Sequence, residues 1–309
     1  MGHKKTETSL QKSKIKSGNG KMHFVTAKSI LTGSNGLNIY RGCTHGCIYC
    51  DSRSDCYHNP KPFEDIEIKQ NAVELLECAL KRKRTKCMIG TGAMSDPYMP
   101  VEKDLNLTRQ CLQVISKHGF GATVLTKSDL VLRDLNLFKE INNKSKAVLQ
   151  MTLTTFDDTL CQKIEPNVCP TSRRVQVLKE FEKEGIPCIV WLCPFLPGIN
   201  NTIENLAGLL DYCRQVNVKG ILNFGIGLTL RNGNREYFYK QLDKSFPGKK
   251  QQFQKIFGNS YIVNSSNNNE LMEYFTNFCK ANKILYTPQQ CFSYLNHFPA
   301  RSSQLQFKF

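Results

Sequence analysis

Short apolar runs and amphipathic stretches alternate along this chain from residue 37 onward. LNIYR (37–41), CMIG (87–90), GATVLT (121–126), AVLQMTLTT (147–155), IPCIVWLCPFLPG (186–198) and GILNFGIGLTL (220–230) are strand-length runs rich in β-branched and aromatic residues. Between them, residues 70–84, 105–118, 129–142, 157–164, 171–184 and 202–216 place apolar side chains at helical spacing, as Val73, Leu76 and Leu80 do in the first. Strands separated by helices of this length imply right-handed βαβ units and a parallel sheet. Six such strands build either a doubly wound open sheet or a partial barrel, and periodicity does not choose. After residue 230 the alternation stops: REYFYKQLDKSF, KKQQFQKIFG and NNELMEYFTNFCKANK read as helices bounded by Pro-Gly, Gly-Asn-Ser and Asn-rich turns. The expected organisation is a basic, flexible arm over residues 1–30, a core over 31–230 and a mostly helical extension over 231–309.

Composition narrows the class. With 309 residues, 40% hydrophobic and 22% charged, the chain is globular, with no apolar stretch long enough to span a membrane or begin a secretory signal. A cytoplasmic setting is expected. Lys plus Arg outnumber Asp plus Glu by 42 to 26, giving +16, which favours polyanionic partners and makes nucleic acid a candidate. The 14 cysteines are too few for a disulfide scaffold in a chain of this length. Cys78, Cys111, Cys188, Cys213 and Cys279 stand alone and read as small buried hydrophobes.

One cluster differs. In RGCTHGCIYCDSRSDCY (41–57), Cys43, Cys47 and Cys50 follow the first strand with the spacing Cys-x3-Cys-x2-Cys, and Gly42 and Gly46 let the backbone turn tightly between them. Three thiolates on one loop grip three corners of an iron–sulfur cube, leaving one metal with an open position, or they supply most of a zinc site with Cys56, His45 or His58 completing it. The second option would make the protein a non-catalytic, metal-stapled nucleic-acid-binding module.

This motif, with an aromatic before its last cysteine, resembles the radical S-adenosylmethionine superfamily. Together with GAMSDPYMPVEKDLNLTRQCL, VLTKSDLVLRDL, IEPNVCPTSRRVQVLKEFEKEGIPC and PFLPGIN, it is similar to the branch related to spore photoproduct lyase over residues 28–228. The resemblance implies a partial (βα)6 barrel of the TIM type. It implies a [4Fe–4S] cluster on Cys43, Cys47 and Cys50 whose open iron is chelated by S-adenosylmethionine. An external electron donor would then drive cleavage of the sulfonium bond, and the resulting 5′-deoxyadenosyl radical would abstract hydrogen from a substrate. Tyr49 matches the aromatic near the adenine, and Ser95, Lys127 and Thr152 match positions that contact the cofactor. Arg173 and Arg174 sit where a helix begins: the alternatives are one of them pairing with an acid near the cofactor, or two surface arginines, and the second is the expected reading. Where the lyase has a hydrogen-donating cysteine, two residues before the serine of Ser-Asp-Pro, this chain has Ala93. Cys193 is therefore nominated as the donor.

Overall fold

In the computed structural model, which describes residues 21–299, the alternation resolves into six parallel strands lying side by side in chain order. They are β1 (Gly36–Leu37), β2 (Met88–Thr91), β3 (Gly121–Thr126), β4 (Ala147–Thr152), β5 (Cys188–Trp191) and β6 (Gly220–Leu222). An order that never reverses is that of a barrel wall, whereas a doubly wound sheet turns back at a switch point. Six strands fall short of the eight of a closed TIM barrel, so the α/β core is a partial one. Its β6 edge is covered by the segment at Leu285, whose carbonyl accepts from Ile221 N at 2.7 Å. The helices α1 (Ala72–Arg82), α2 (Leu107–Lys117), α3 (Leu135–Lys144), α4 (Thr171–Lys183) and α5 (Ile203–Gln215) follow successive strands.

Strand alternation then sorts the core. Ile89, Ala122, Val124, Leu149, Met151, Val190 and Ile221 share one apolar cluster with helix residues such as Leu76, Ile115, Phe138, Phe181 and Leu209. Residues of the opposite parity face the lumen in three layers. At the bottom, Met88, Val148, Ile189 and Leu222 pack against Cys291 and Leu295. In the middle, Trp191 Nε1 donates to Gln150 Oε1 at 2.7 Å and Gln150 Nε2 donates to Thr123 Oγ1 at 2.8 Å. The top layer, Gly92, Leu125, Thr152 and Cys193, opens into a cavity.

Residues 231–299 carry α6 (Asn234–Ser245), α7 (Lys249–Phe257), α8 (Asn268–Ala281) and α9 (Pro288–Asn296), the last plugging the barrel bottom through Cys291 and Leu295. A strand, Ile262–Asn264, pairs antiparallel with Gly227–Thr229. Among the described residues, no helix is long and apolar enough to cross a membrane.

Several expectations need correction. Of the arm expected over 1–30, residues 1–20 lie outside the described residues, and Met22–Val25 is a strand rather than a flexible tail because it pairs in parallel with Ile66–Lys69. LNIYR is not one strand: Leu37 belongs to the barrel, while Tyr40–Arg41 pairs with Ile66–Lys69 in a separate sheet. GILNFGIGLTL likewise breaks around Gly225 (φ +110°), between the barrel strand Gly220–Leu222 and the separate two-stranded ladder that Gly227–Thr229 forms with Ile262–Asn264. Cys78 is exposed, since Ala72, Leu76 and Leu80 claim the buried face of α1 and residue 78 falls opposite it. Cys111, Cys188, Cys213 and Cys279 are buried as expected.

Candidate active site

The cysteine loop leaves β1 and Tyr40–Arg41 and is clamped from two sides. Cys43 N donates to Phe63 O at 2.9 Å on one side. On the other, Ile48 N donates to Ile164 O at 3.0 Å and Asn167 Nδ2 to Thr44 O at 2.9 Å. Gly42 (φ +83°) and Gly46 (φ +71°) occupy the left-handed region, and a Cβ on Gly42 would lie 2.5 Å from Phe63 O. Cys43 and Cys47 are buried, and Cys50 lines the cavity over the top of the barrel. Burial, with Asp96 and Cys50 adding to it, pushes the Cys43 thiol up to about 12, and burial raises Cys47 as well. Metal-free, these thiols hold their protons, so a metal must displace them to bind.

The cavity encloses about 760 Å³, ample for a cofactor and part of a substrate. Cys50, Tyr49, Lys127, Thr152 and Cys193 all line it, at the C-terminal ends of the strands where barrels of this kind hold their chemistry. Ser95 does not: the wall there is Gly92, Ala93 and Met94, one residue short of it. Its neighbour Asp96 is a junction between strand ends, with carboxylate oxygens accepting from Tyr98 N (2.8 Å), Thr126 Oγ1 (2.7 Å) and Lys127 N (2.8 Å) and standing 3.4 Å from His45 Nδ1. Burial lowers the His45 pKa, more than Asp96 opposes it, leaving a neutral imidazole between Cys43 and Cys47. Asp96→Ala is expected to cost about 1–3 kcal/mol by stranding buried donors, read as a lower urea midpoint at unchanged m-value.

Lys127 Nζ stands 5.9 Å from the centre of the Tyr49 ring. Burial alone would lower its pKa; Cys47 and Cys50 as thiolates, and the carboxylates Glu165 and Asp96 even while the thiols keep their protons, oppose burial and raise it, so the ammonium is charged. Tyr49 donates its hydroxyl proton to Glu165, which in turn pairs with Arg174 Nη1 at 2.6 Å, both partners wholly buried. Arg174 is therefore no surface residue: it also donates to Thr152 O and Cys169 O, tying the end of β4 to the acid that orients Tyr49. Arg173 is the exposed member, paired with Asp129 at 3.0 Å. Sequence reasoning passed over Glu165, although an acid inside the apolar turn IEP was its signal. Arg231, Tyr57, Tyr261 and Phe224, which complete the cavity, come from segments whose proximity only the fold creates.

The profile of the radical SAM superfamily matches residues 37–212, more than half of the chain. The chain belongs to the radical SAM superfamily. A protein of Methanocaldococcus jannaschii, described only as uncharacterized, is 35% identical over 165 residues, covering 53% of this chain and 61% of that protein. The chain thus spans less than two thirds of that relative's length. A Pseudomonas phage M6 protein named radical SAM Nalpha-GlyT isomerase is 24% identical over 157 residues, covering 51% of this chain and 32% of its own. Spore photoproduct lyase superposes with a TM-score of 0.64 at 12% identity, covering 86% of this chain and 81% of the lyase. The form with bound AdoMet and dinucleoside spore photoproduct superposes with 0.59 at 12% identity, covering 82% and 75%. At that identity the likeness is one of fold, and it agrees with the partial barrel.

Radical SAM proteins use a [4Fe–4S] cluster and S-adenosylmethionine. The loop fits the cluster. Among the described residues no three or more His, Cys, Asp or Glu side chains gather as a single ion would need. A cubane asks for something else, three thiols each facing its own iron, and three cysteines on one glycine-hinged loop suit that. Cys56, the fourth ligand of the zinc alternative, turns elsewhere: its Sγ accepts from Arg231 Nη1 at 3.2 Å and lines a different cavity.

Proposed function

We propose that this protein is a radical SAM enzyme acting on a nucleotide or nucleic-acid substrate, with its cluster on Cys43, Cys47 and Cys50. The observation that carries the reading is the convergence of Cys50, Tyr49, Lys127, Thr152 and Cys193 on one cavity at the barrel top. When bound, the reduced cluster and S-adenosylmethionine supply one-electron cleavage of a sulfonium bond and a carbon radical able to take hydrogen from an unactivated position. Every further role belongs to the chain. Three cysteines leave one corner of the cluster without a protein ligand. Tyr49, fixed by Glu165, would wall the adenine side; Lys127 would offer a cation to the carboxylate, and Thr152 would complete the cofactor contacts, with Ser95 left outside the wall. The cavity walls keep water from a reactive carbon.

Cys193 is the proposed hydrogen donor. Burial pushes its thiol up to about 12, so it keeps the S–H that donation needs, whereas Ala93 on the same wall has none. With a nucleic-acid substrate in deuterated solvent, product should gain deuterium in the wild type and none in Cys193→Ala; uptake in the variant would remove Cys193 from the role. An external donor supplies the electron, and a reducing cytoplasm suits a protein whose cysteines are all free. What supports the substrate class is the charge of +16 and the dinucleoside spore photoproduct bound by the lyase of like fold.

Equilibrium dialysis tests the cavity assignment. Lys127→Met and Thr152→Leu should each weaken S-adenosylmethionine binding about tenfold, the order expected for one lost charged or well-placed contact, with iron content unchanged. Wild-type affinity in both would place the cofactor elsewhere.

A further inference from the structure

Beside the large cavity lies another, of about 340 Å³, lined by Arg53, Asp55, His58, Lys61, Phe63 and Tyr237 among others. The two share a turn: Cys50, Asp51 and Ser52 face the first, while Arg53, Ser54 and Asp55 face the second. The second cavity is built by specific contacts. Arg41 holds its outer loop through Asn59 Oδ1 (3.0 Å), Tyr57 O and His58 O (2.8 Å each), and Asp55 N donates to Asn232 O at 3.0 Å. Gly233, the residue before α6, also lines it, with a φ of +83° that side-chain-bearing residues rarely adopt.

The guanidinium of Arg53 is the unusual group. Its side chain is only 6% exposed, and it lies between two rings, 3.7 Å from the centre of Tyr237 and 4.7 Å from that of Phe63. Nε and Nη2 take no hydrogen bond. Glu64 Oε1 stands 2.6 Å from Nη2 without the alignment of a bond, and the acid is 43% exposed, so solvent screens that charge contact. Nε and Nη2 are closed off from solvent and Nη2 is held by Glu64, so what Arg53 offers the cavity it lines is its charge and the remaining edge of its guanidinium. A planar fork flanked by aromatic rings suits a tetrahedral oxyanion. Lys61 adds a second cation to the wall, where Asp55 is the lining carboxylate and Glu64 the half-exposed acid that already pairs with Arg53.

We propose that this cavity is a phosphate subsite, in which Arg53 and Lys61 hold a phosphate ester while the group to be altered reaches past Ser52 into the large cavity. The ester is either a phosphomonoester of a free nucleotide or a phosphodiester of a strand. The proposal rests on the enzyme reading for the use of the bound group, though not for its binding.

The test uses the full-length, cluster-reconstituted protein with two probes, an eight-residue oligothymidylate followed by fluorescence anisotropy across salt concentrations, and inorganic phosphate followed by phosphorus NMR. Arg53→Met should weaken the oligonucleotide at least tenfold at low salt and flatten its log–log salt slope by about 0.7, one single-strand phosphate contact. A structural loss alone would not change that slope by one contact. Arg53→Lys should restore the slope, because the charge returns. Phosphate binding lost in Arg53→Met with oligonucleotide binding intact would support the subsite and assign it to a free phosphomonoester. Unchanged binding of both probes would overturn it. The enzyme reading fails separately, if wild type yields no 5′-deoxyadenosine, and that result would leave an Arg53-dependent slope standing.

Discussion

Cys50→Ala is expected to strip the protein of its cluster: after anaerobic reconstitution the brown iron–sulfide absorbance should vanish and S-adenosylmethionine cleavage should fall to background. Cys43→Ala and Cys47→Ala should do the same, because each thiolate would serve a different iron and the next cysteine, Cys56, is turned to another cavity. Cys56→Ala is the control. Its thiol bonds to Arg231 and faces another cavity, so iron content should match the wild type. Iron retained in Cys50→Ala, or lost in Cys56→Ala, would redraw the ligand set.

Arg174→Met should destabilise the fold by about 3–5 kcal/mol, the cost of leaving one member of a buried ion pair without its partner. Glu165 and Arg174 are both fully buried, and the acid also accepts from Tyr49, so the damage should reach the cofactor wall. Replacing both, as Glu165→Leu with Arg174→Met, should cost less than the two single changes added together, since no lone charge then remains. Acid titration reads the same pair. Burial would raise the Glu165 pKa, but Arg174 and then Lys127 hold it below the usual carboxylate range. A carboxylate depressed in the folded state contributes its full stability above its unfolded pKa. It loses that contribution as pH falls through the folded value. The wild type should therefore lose stability on acidification more steeply than the double variant does; parallel curves would mean the pair is not ionised.

Much of the barrel was legible because β4 and the strands beside it are buried on both faces and read as continuous apolar runs, with punctual glycines between them. The cysteine loop was legible because its ligands are local in sequence. What escaped depends on distant chain. Ile66–Lys69 was too short to be read as a strand without Met22–Val25 and Tyr40–Arg41 beside it. GILNFGIGLTL looked continuous because the left-handed turn at Gly225 leaves no mark on hydropathy. Arg174 looked exposed beside Arg173, since two arginines at a helix start carry no sign of which one meets a buried acid nine residues upstream. The α9 plug was missed because PQQCFSYLN has only Cys291 and Leu295 buried, one turn apart, and these gain a partner only at the barrel's bottom layer.

One assay reaches the centre of the account. The full-length protein, reconstituted without oxygen and reduced with dithionite, is given S-adenosylmethionine alone, and its metal content and nucleoside products are measured. Iron and sulfide near four each per chain with 5′-deoxyadenosine and methionine released is the expected result. A colourless protein retaining one zinc per chain and releasing neither product would contradict it.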